Sequence, residues 1–333
     1  MKAKNLTGKL PGGKRQKLID IIPLRTPILL QFFPSYICNF KCSYCEMSVP
    51  KKDRGFISDK VHLDFNLYRR CIDECKNFPD KIKVIRFVGM GEPLIHKQLP
   101  EMIKYAKDAK ICNKIEILTN GSLLTHELSN KLITAGLDSM IISIQGISAE
   151  KYKQISNVVL DFKKFVDNIK YFYKHKKKTN LYIKIVDIAL DNKKDERKFF
   201  MLFGDICDGI AIEYAAPHYP GVKMNDNIEL NNKKHTQFGK QVKDIHICPQ
   251  SYFTIQINPD GKCVPCYSIA YPEILGDINN ESIYDIWNGD RFKNFRMQMI
   301  LKGKKDINNI CKECKIINYR FNEEDSLEEL WED

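Results

Sequence analysis

The strongest constraint on this chain is an alternation. Between residues 81 and 214, short β-branched runs at 84–88, 115–119, 140–144, 181–188 and 210–214 are separated by longer stretches of helical periodicity at 98–110, 124–135, 161–176 and 193–203. The short runs read as buried strands and the amphipathic stretches as the helices that cover them, with Gly136 placed to cap one of these. A first strand at 28–33 and a first helix at 63–77 bring the count to about six βα units. Repeated right-handed crossovers make a parallel sheet, and six of them can curl into an open barrel. The expected fold class is α/β, a partial (β/α)6 TIM-like barrel.

The pattern changes after residue 220. Residues 220–243 are polar and rich in Asn and Lys, which suits a linker. Beyond them, 252–257, the turn Asn258-Pro259-Asp260-Gly261 and 262–267 read as a β-hairpin. Short helices are expected at 282–287 and 290–300, ahead of a knuckle at Cys311 and Cys314. The most apolar stretch, 26–37, is broken by Pro34 and is too short to span a bilayer. No signal peptide is legible, so a cytoplasmic location without a membrane partner is expected. The 53 Lys+Arg outnumber the 42 Asp+Glu, a net charge of +11. That excess reads first as a solvated lysine-rich surface, strongest around Lys14-Arg15-Gln16-Lys17, and second as a surface for an anionic substrate. Nucleic acid is not the expected partner. The acidic residues 323–333 read as a solvated terminus.

Among 12 cysteines, two groups stand out. In a reducing compartment, closely spaced cysteines point to a metal site rather than to disulfides. Cys38, Cys42 and Cys45, spaced C-x3-C-x2-C, follow the first strand directly, at the sheet end where open α/β folds place ligands. A structural zinc site needs four ligands, as does a fully protein-ligated iron–sulfur cluster. Three thiolates on a [4Fe-4S] cluster leave one iron open to a small molecule. The second group is Cys248, Cys263, Cys266, Cys311 and Cys314. It can be read as two C-x2-C knuckles of a zinc ribbon, or as a four-cysteine site of Cys248, Cys266, Cys311 and Cys314 with Cys263 left over.

The C-x3-C-x-aromatic-C loop, with Tyr44 as the aromatic, resembles that of the radical S-adenosylmethionine (radical SAM) superfamily, and further landmarks follow in order over about residues 26–217. Gly89-Met90-Gly91-Glu92-Pro93 resembles the GGEP motif, with Met90 in place of a common glycine. Thr119-Asn120-Gly121 ends the third strand, and Ser143 and Gln145 end the fourth. The resemblance implies that Tyr44, Gly91, Glu92, Pro93, Ser143 and Gln145 contact AdoMet and that Cys38, Cys42 and Cys45 hold a [4Fe-4S] cluster. A reduced cluster then cleaves AdoMet to a 5′-deoxyadenosyl radical, which abstracts hydrogen from substrate.

Residues 248–314 resemble the SPASM/twitch extension found after many such barrels, a small α+β module. On that resemblance Cys248, Cys266, Cys311 and Cys314 hold one auxiliary [4Fe-4S] cluster, and the absence of cysteine after Cys314 excludes a second. The expected division is a basic arm at 1–25, the radical SAM barrel at 26–219, a linker at 220–247, the auxiliary domain at 248–320 and an acidic tail at 321–333. The spacing resembles that of an aminocyclitol dehydrogenase. The implied activity is an oxidoreductase acting on a sugar, polyol or aminocyclitol, with the auxiliary cluster as electron acceptor and a flavodoxin- or ferredoxin-type donor. A peptide-modifying maturase is the competing enzyme class, and a zinc-ribbon nucleic-acid-binding protein the non-enzymatic one. His218 is a candidate proton acceptor; Cys71, Cys75, Cys112 and Cys207 read as core. Arg86, on a strand, faces either an acidic partner or a substrate anion.

Overall fold

A computed structural model of the chain describes residues 1–9, 15–50, 58–216, 235–266 and 271–331. Seven strands belong to its first two-thirds: Lys4–Asn5 (β1), Leu29–Phe32 (β2), Ile82–Phe87 (β3), Cys112–Thr119 (β4), Ser139–Ile144 (β5), Asn180–Val186 (β6) and Gly209–Glu213 (β7). Strands β2 to β7 lie side by side in chain order, each parallel to the next. These are the six expected strands, and their carboxyl ends share one rim. The basic arm adds β1, which pairs in parallel with the outer edge of β7.

Helices Phe65–Glu74 (α1), Leu99–Ala109 (α2), His126–Thr134 (α3), Ala149–Ser156 (α4), Phe162–His175 (α5) and Lys193–Phe203 (α6) alternate with these strands. Five begin at a side-chain cap: Asp64, Thr125, Ser148, Asp161 and Asn192 each accept a backbone N–H of the first turn. Gly136, with φ +84°, follows α3 as expected. Helix α4 was not expected. It is short, and Tyr152 and Ile155 are its only large buried apolar residues, too few for a period to show.

Alternate residues of β2 separate two environments. Leu30 and Phe32 are fully buried, and the Phe32 ring lies 4.9 Å from Tyr68 of α1 and 5.9 Å from Phe87. Each such side chain contributes roughly 1.5–3 kcal/mol by leaving water. Gln31 points to the other face, level with Arg86. There Arg86 bonds Glu116 at 2.8 Å and Lys114 pairs with the same carboxylate. Of the two roles open to Arg86, the structure selects the acidic partner.

The C-terminal part continues the same sheet. After Gln250–Phe253 (α7), strand Thr254–Ile257 (β8) pairs in parallel with β2, and Lys262–Val264 (β9) and Gly276–Asp277 (β10) extend it in antiparallel order. The turn between β8 and β9 needs Gly261, whose φ is +89°. Ile283–Asn288 (α8), Asp290–Ile307 (α9), Asn309–Glu313 (α10) and Ile316–Arg320 (α11) follow, with α9 interrupted at Gly303 (φ +65°). No helix among the described residues is long and apolar enough to cross a membrane.

The acidic terminus is not the solvated tail the sequence suggests. Leu327 is fully buried, and Glu328 accepts the backbone N–H groups of His246 and Ile247 at 3.0 Å each, together with a 2.8 Å contact to the His246 ring. Trp331 stacks on His246 with ring centroids 5.3 Å apart. Glu328 therefore holds the segment that leads into Cys248, while Asp325 pairs with Arg15 and Glu323 with Lys243. Replacing Glu328 with alanine leaves two backbone donors unpaired and is expected to cost about 1–3 kcal/mol of stability, read as a lowered urea midpoint. An unchanged midpoint would show the clasp to be passive.

Candidate active site

The first cysteine loop leaves β2 at the rim and is fixed by its neighbours on every side. Phe33 donates its N–H to Ile257 O and Tyr36 to Val61 O, both at 2.9 Å. Within the loop the Cys45 N–H donates to Cys42 O at 2.9 Å. Helix α4 carries the other side: Lys41 N–H donates to Ser156 O at 3.0 Å and Ser43 N–H to Ile155 O at 2.7 Å. The Cys42 thiol lies 3.2 Å from the Ser156 hydroxyl, and Phe40 packs edge-on to Tyr152 at 5.9 Å. Tyr152 and Ser156 thus shape the loop, although nothing in their spacing marked them. Asn39 and Asn120 share a 3.0 Å hydrogen bond that ties the loop to the end of β4.

Without metal the thiols of Cys42 and Cys45 hold their protons. Burial pushes Cys42 up to about 12 and raises Cys45 as well, to which the neighbouring Glu46 adds. Each of the three feels the charge of another, so the structure gathers Cys38, Cys42 and Cys45 into one electrostatic neighbourhood. Yet no three Cys, His, Asp or Glu side chains among the described residues could hold one metal ion. A zinc ion with Zn–S of about 2.3 Å would bring its sulfurs within roughly 4 Å of one another. A four-iron cube carries one sulfur ligand per corner and spreads them wider. Three thiols are one ligand short of a closed zinc shell and fit a four-iron cube that keeps one iron open.

The loop after β3 completes the rim. A side chain at Gly91 would stand 2.2 Å from Ser35 O and 2.8 Å from Ile37 O, so only glycine lets the two loops touch. The next N–H, that of Glu92, donates to Ile37 O at 2.8 Å. The Glu92 carboxylate is 2 % exposed and accepts Leu94 N–H (2.9 Å), the Thr119 hydroxyl and Asn120 N–H (2.7 Å). A carboxylate offers about four lone-pair sites, so one remains for a ligand's ammonium. Pro93 opens the short turn that follows.

On β5, Ser143 is level with Lys184 of β6, whose ammonium bonds Glu213 at 2.6 Å. Gln145 is buried beside the Tyr44 hydroxyl, and its Oε1 has no hydrogen-bond partner. A buried acceptor left open calls for a ligand or an ordered water. Gly91, Glu92 and Pro93 follow β3, and Ser143 and Gln145 stand at the end of β5, so these share the carboxyl-end rim, while Tyr44 lies within the cysteine loop itself. His218 lies outside the described residues.

The second cysteine group divides. Cys248, Cys311 and Cys314 are mutual electrostatic neighbours, and burial raises the Cys248 thiol and pushes that of Cys311 up to about 12. Cys266 closes the hairpin two residues beyond β9. Cys263 is fully buried in β9, its thiol 3.8 Å from Gly261 O and close to Cys71 under α1. The ribbon reading needs Cys263 beside Cys266; the fold puts it in the core with Cys71 and Cys75. The hydrogen-bonded hydroxyls of Tyr36 and Tyr271 join the two cysteine regions, since Tyr36 precedes Cys38 by two residues.

The family model described as the Radical SAM superfamily matches residues 32–198. The chain belongs to the radical SAM superfamily. A second model, described as an iron-sulfur cluster-binding domain and named SPASM, matches residues 248–315. Radical SAM enzymes of this type carry a [4Fe-4S] cluster with AdoMet and an auxiliary iron–sulfur cluster in the SPASM domain. Among curated relatives, the chain is 22 % identical to a tungsten-containing aldehyde ferredoxin oxidoreductase cofactor-modifying protein of Pyrococcus furiosus, over 78 % of this chain and 80 % of that one. It is 25 % identical to an AdoMet-dependent heme synthase of Methanosarcina barkeri, over 85 % and 89 %. Among solved structures, BtrN in complex with AdoMet and 2-DOIA superposes with a TM-score of 0.54 at 19 % identity, over 86 % of this chain and 92 % of that one. SuiB of Streptococcus suis bound to S-adenosylmethionine gives 0.62 at 15 %, over 91 % and 74 %. These likenesses establish a shared radical SAM and SPASM fold.

The buried Glu92 carboxyl makes a testable contribution to this radical SAM rim. Burial pushes it from 4.5 up to about 6 against the pull of its three donors. Between those values the folded chain keeps a proton that the unfolded chain has lost, so this group stabilises in acid and its contribution disappears as pH rises through about 6. The shift corresponds to about 2 kcal/mol. Urea unfolding from about pH 4 to about pH 7 is expected to show wild type losing that much relative to Glu92→Gln. A pH-independent difference contradicts the assignment.

Proposed function

We propose that this radical SAM enzyme oxidises a small hydroxylated molecule, a sugar, polyol or aminocyclitol, and that the auxiliary cluster accepts the second electron. Cys38, Cys42 and Cys45 would hold the first cluster, and Cys248, Cys266, Cys311 and Cys314 the auxiliary one. Together with AdoMet the first cluster supplies a 5′-deoxyadenosyl radical that takes hydrogen from substrate. The chain's part is to bind, orient and keep water out. Glu92 would accept the AdoMet ammonium on its remaining lone pair, Gly91 would let the backbone approach it, and Ser143 and Gln145 would receive the ribose or carboxylate. Tyr44 would turn its hydroxyl to Gln145. A flavodoxin- or ferredoxin-type carrier would bring the first electron.

The observation that carries this reading is the burial of Cys263 away from its neighbours, which leaves four cysteines in the C-terminal region. Four ligands complete one closed cluster, and a closed cluster exchanges electrons rather than binding substrate. The likeness to BtrN, named for its complex with 2-DOIA and matched over 92 % of its length, supports the small-molecule choice. The second reading, peptide modification, is favoured by the TM-score of 0.62 to SuiB, which is also solved bound to the precursor peptide SuiA.

Anaerobically reconstituted protein should contain about eight irons per chain. With dithionite and AdoMet it should release 5′-deoxyadenosine, and Cys42→Ala should abolish that release. Deuterium on a carbinol carbon of the true substrate should appear in 5′-deoxyadenosine. Transfer from a deuterated peptide, with none from deuterated polyols or aminocyclitols, would move the assignment to peptide modification.

A further inference from the structure

Lys304 is a cation in the wrong place for a soluble surface. It lies just past the break at Gly303 in α9 and is 5 % exposed. Its backbone N–H donates to His246 O at 2.7 Å. Its ammonium donates to Cys314 O at 3.0 Å and to Asn318 Oδ1 at 3.1 Å, both neutral acceptors. No carboxylate among the described residues lies within ion-pair distance of it. Asp244, which feels the Lys304 charge, is engaged by Lys305 at 3.2 Å and by the Asn318 amide at 3.1 Å. Burying an ammonium without an anion costs several kcal/mol, so a fold that does so has an anion in view.

Its grip on Cys314 O supplies the location, and the thiols of Cys248 and Cys311 belong to the same electrostatic neighbourhood. Both feel the Lys304 charge, which opposes the rise that burial imposes on them. The same ammonium grips the carbonyl of Cys314. One of the four cysteines assigned to the auxiliary site therefore holds this buried cation through its carbonyl, and two more feel its charge. Four thiolates on a [4Fe-4S] core carry net negative charge in either oxidation state, and one unit more after reduction.

We propose that Lys304 is the internal counter-ion of the auxiliary cluster and raises its reduction potential, so that it accepts an electron from the substrate side more readily. This rests on the auxiliary-cluster reading above and goes beyond it by naming what sets the direction of electron flow. The electron gained by the oxidised cluster adds one negative charge, and the fixed ammonium stabilises that added charge without moving a proton. Lys304 is a positioning and tuning residue; it does not touch substrate.

The test is a potentiometric titration of the reconstituted two-cluster protein, followed by electron paramagnetic resonance, with wild type, Lys304→Gln and Lys304→Arg. Gln keeps a donor for Cys314 O but removes the charge; Arg keeps the charge. The expected result is a lower auxiliary midpoint in Lys304→Gln, at least a tenfold change in the oxidised-to-reduced ratio at fixed potential, which is 59 mV for one electron. The AdoMet-site cluster should keep its midpoint, and Lys304→Arg should stay near wild type. An unchanged auxiliary midpoint in Lys304→Gln overturns the proposal, and so does an equal shift in both variants, which marks a packing effect. Should Lys304→Gln not accumulate, wild type against Lys304→Met co-expressed with cluster-assembly factors gives the same reading. Zinc in place of iron at the C-terminal cysteines of wild type is a different failure, since it removes the auxiliary cluster itself.

Discussion

The rim is held together by one carboxylate. Glu92 joins three loops: its N–H reaches Ile37 before the first cysteine, and its oxygens take Leu94 in its own loop and Thr119 and Asn120 at the end of β4. The clasp acts together with α4, the Asn39–Asn120 bond and the backbone bonds of Phe33 and Tyr36. Glycine at 91 is the steric condition for it, because any side chain would drive Ser35 and Ile37 away. The parallel register of β2, β3 and β4 then delivers the three loops to the same end of the sheet. A local polar network and a global topology depend on each other here, and neither positions the thiols alone.

The second cysteine region is built into the same sheet. Strand β8 pairs with β2, the strand that leads to Cys38, so displacement of one region is felt by the other. The Tyr36–Tyr271 bond repeats that link across the loops. From the far side Glu328 holds the backbone before Cys248, and Lys304 holds the carbonyl of Cys314. Charges that look like ordinary surface composition in the sequence thus have fixed structural tasks around one site.

What the sequence revealed depended on how each feature is encoded. The six strands were legible because most of their residues are buried, and apolar runs such as 140–144 carry that directly. The cysteine loop was legible because ligand spacing is a local property. Helix α4 was hidden because eight residues are too few to show a period, and with it went Ser156 and Tyr152, which reach the loop only through tertiary contact. The clasp of the acidic tail on residues 246–247 was hidden for the same reason: 81 positions separate Glu328 from Ile247, and nothing in a run of acids says which one is paired. Arg86 left two partners open until the β3–β4 register put Glu116 opposite. Cys263 shows the limit of spacing, since its burial in β9 among core residues is set by tertiary packing.

The account stands or falls on an open iron at the three-cysteine site that AdoMet itself fills. Electron–nuclear double resonance on the reduced protein, with AdoMet isotopically labelled at its amino nitrogen, reads that contact directly. A hyperfine coupling from the labelled nitrogen is the predicted result, lost when Cys42 is replaced by alanine. A reduced cluster that shows no such coupling at saturating AdoMet would contradict it.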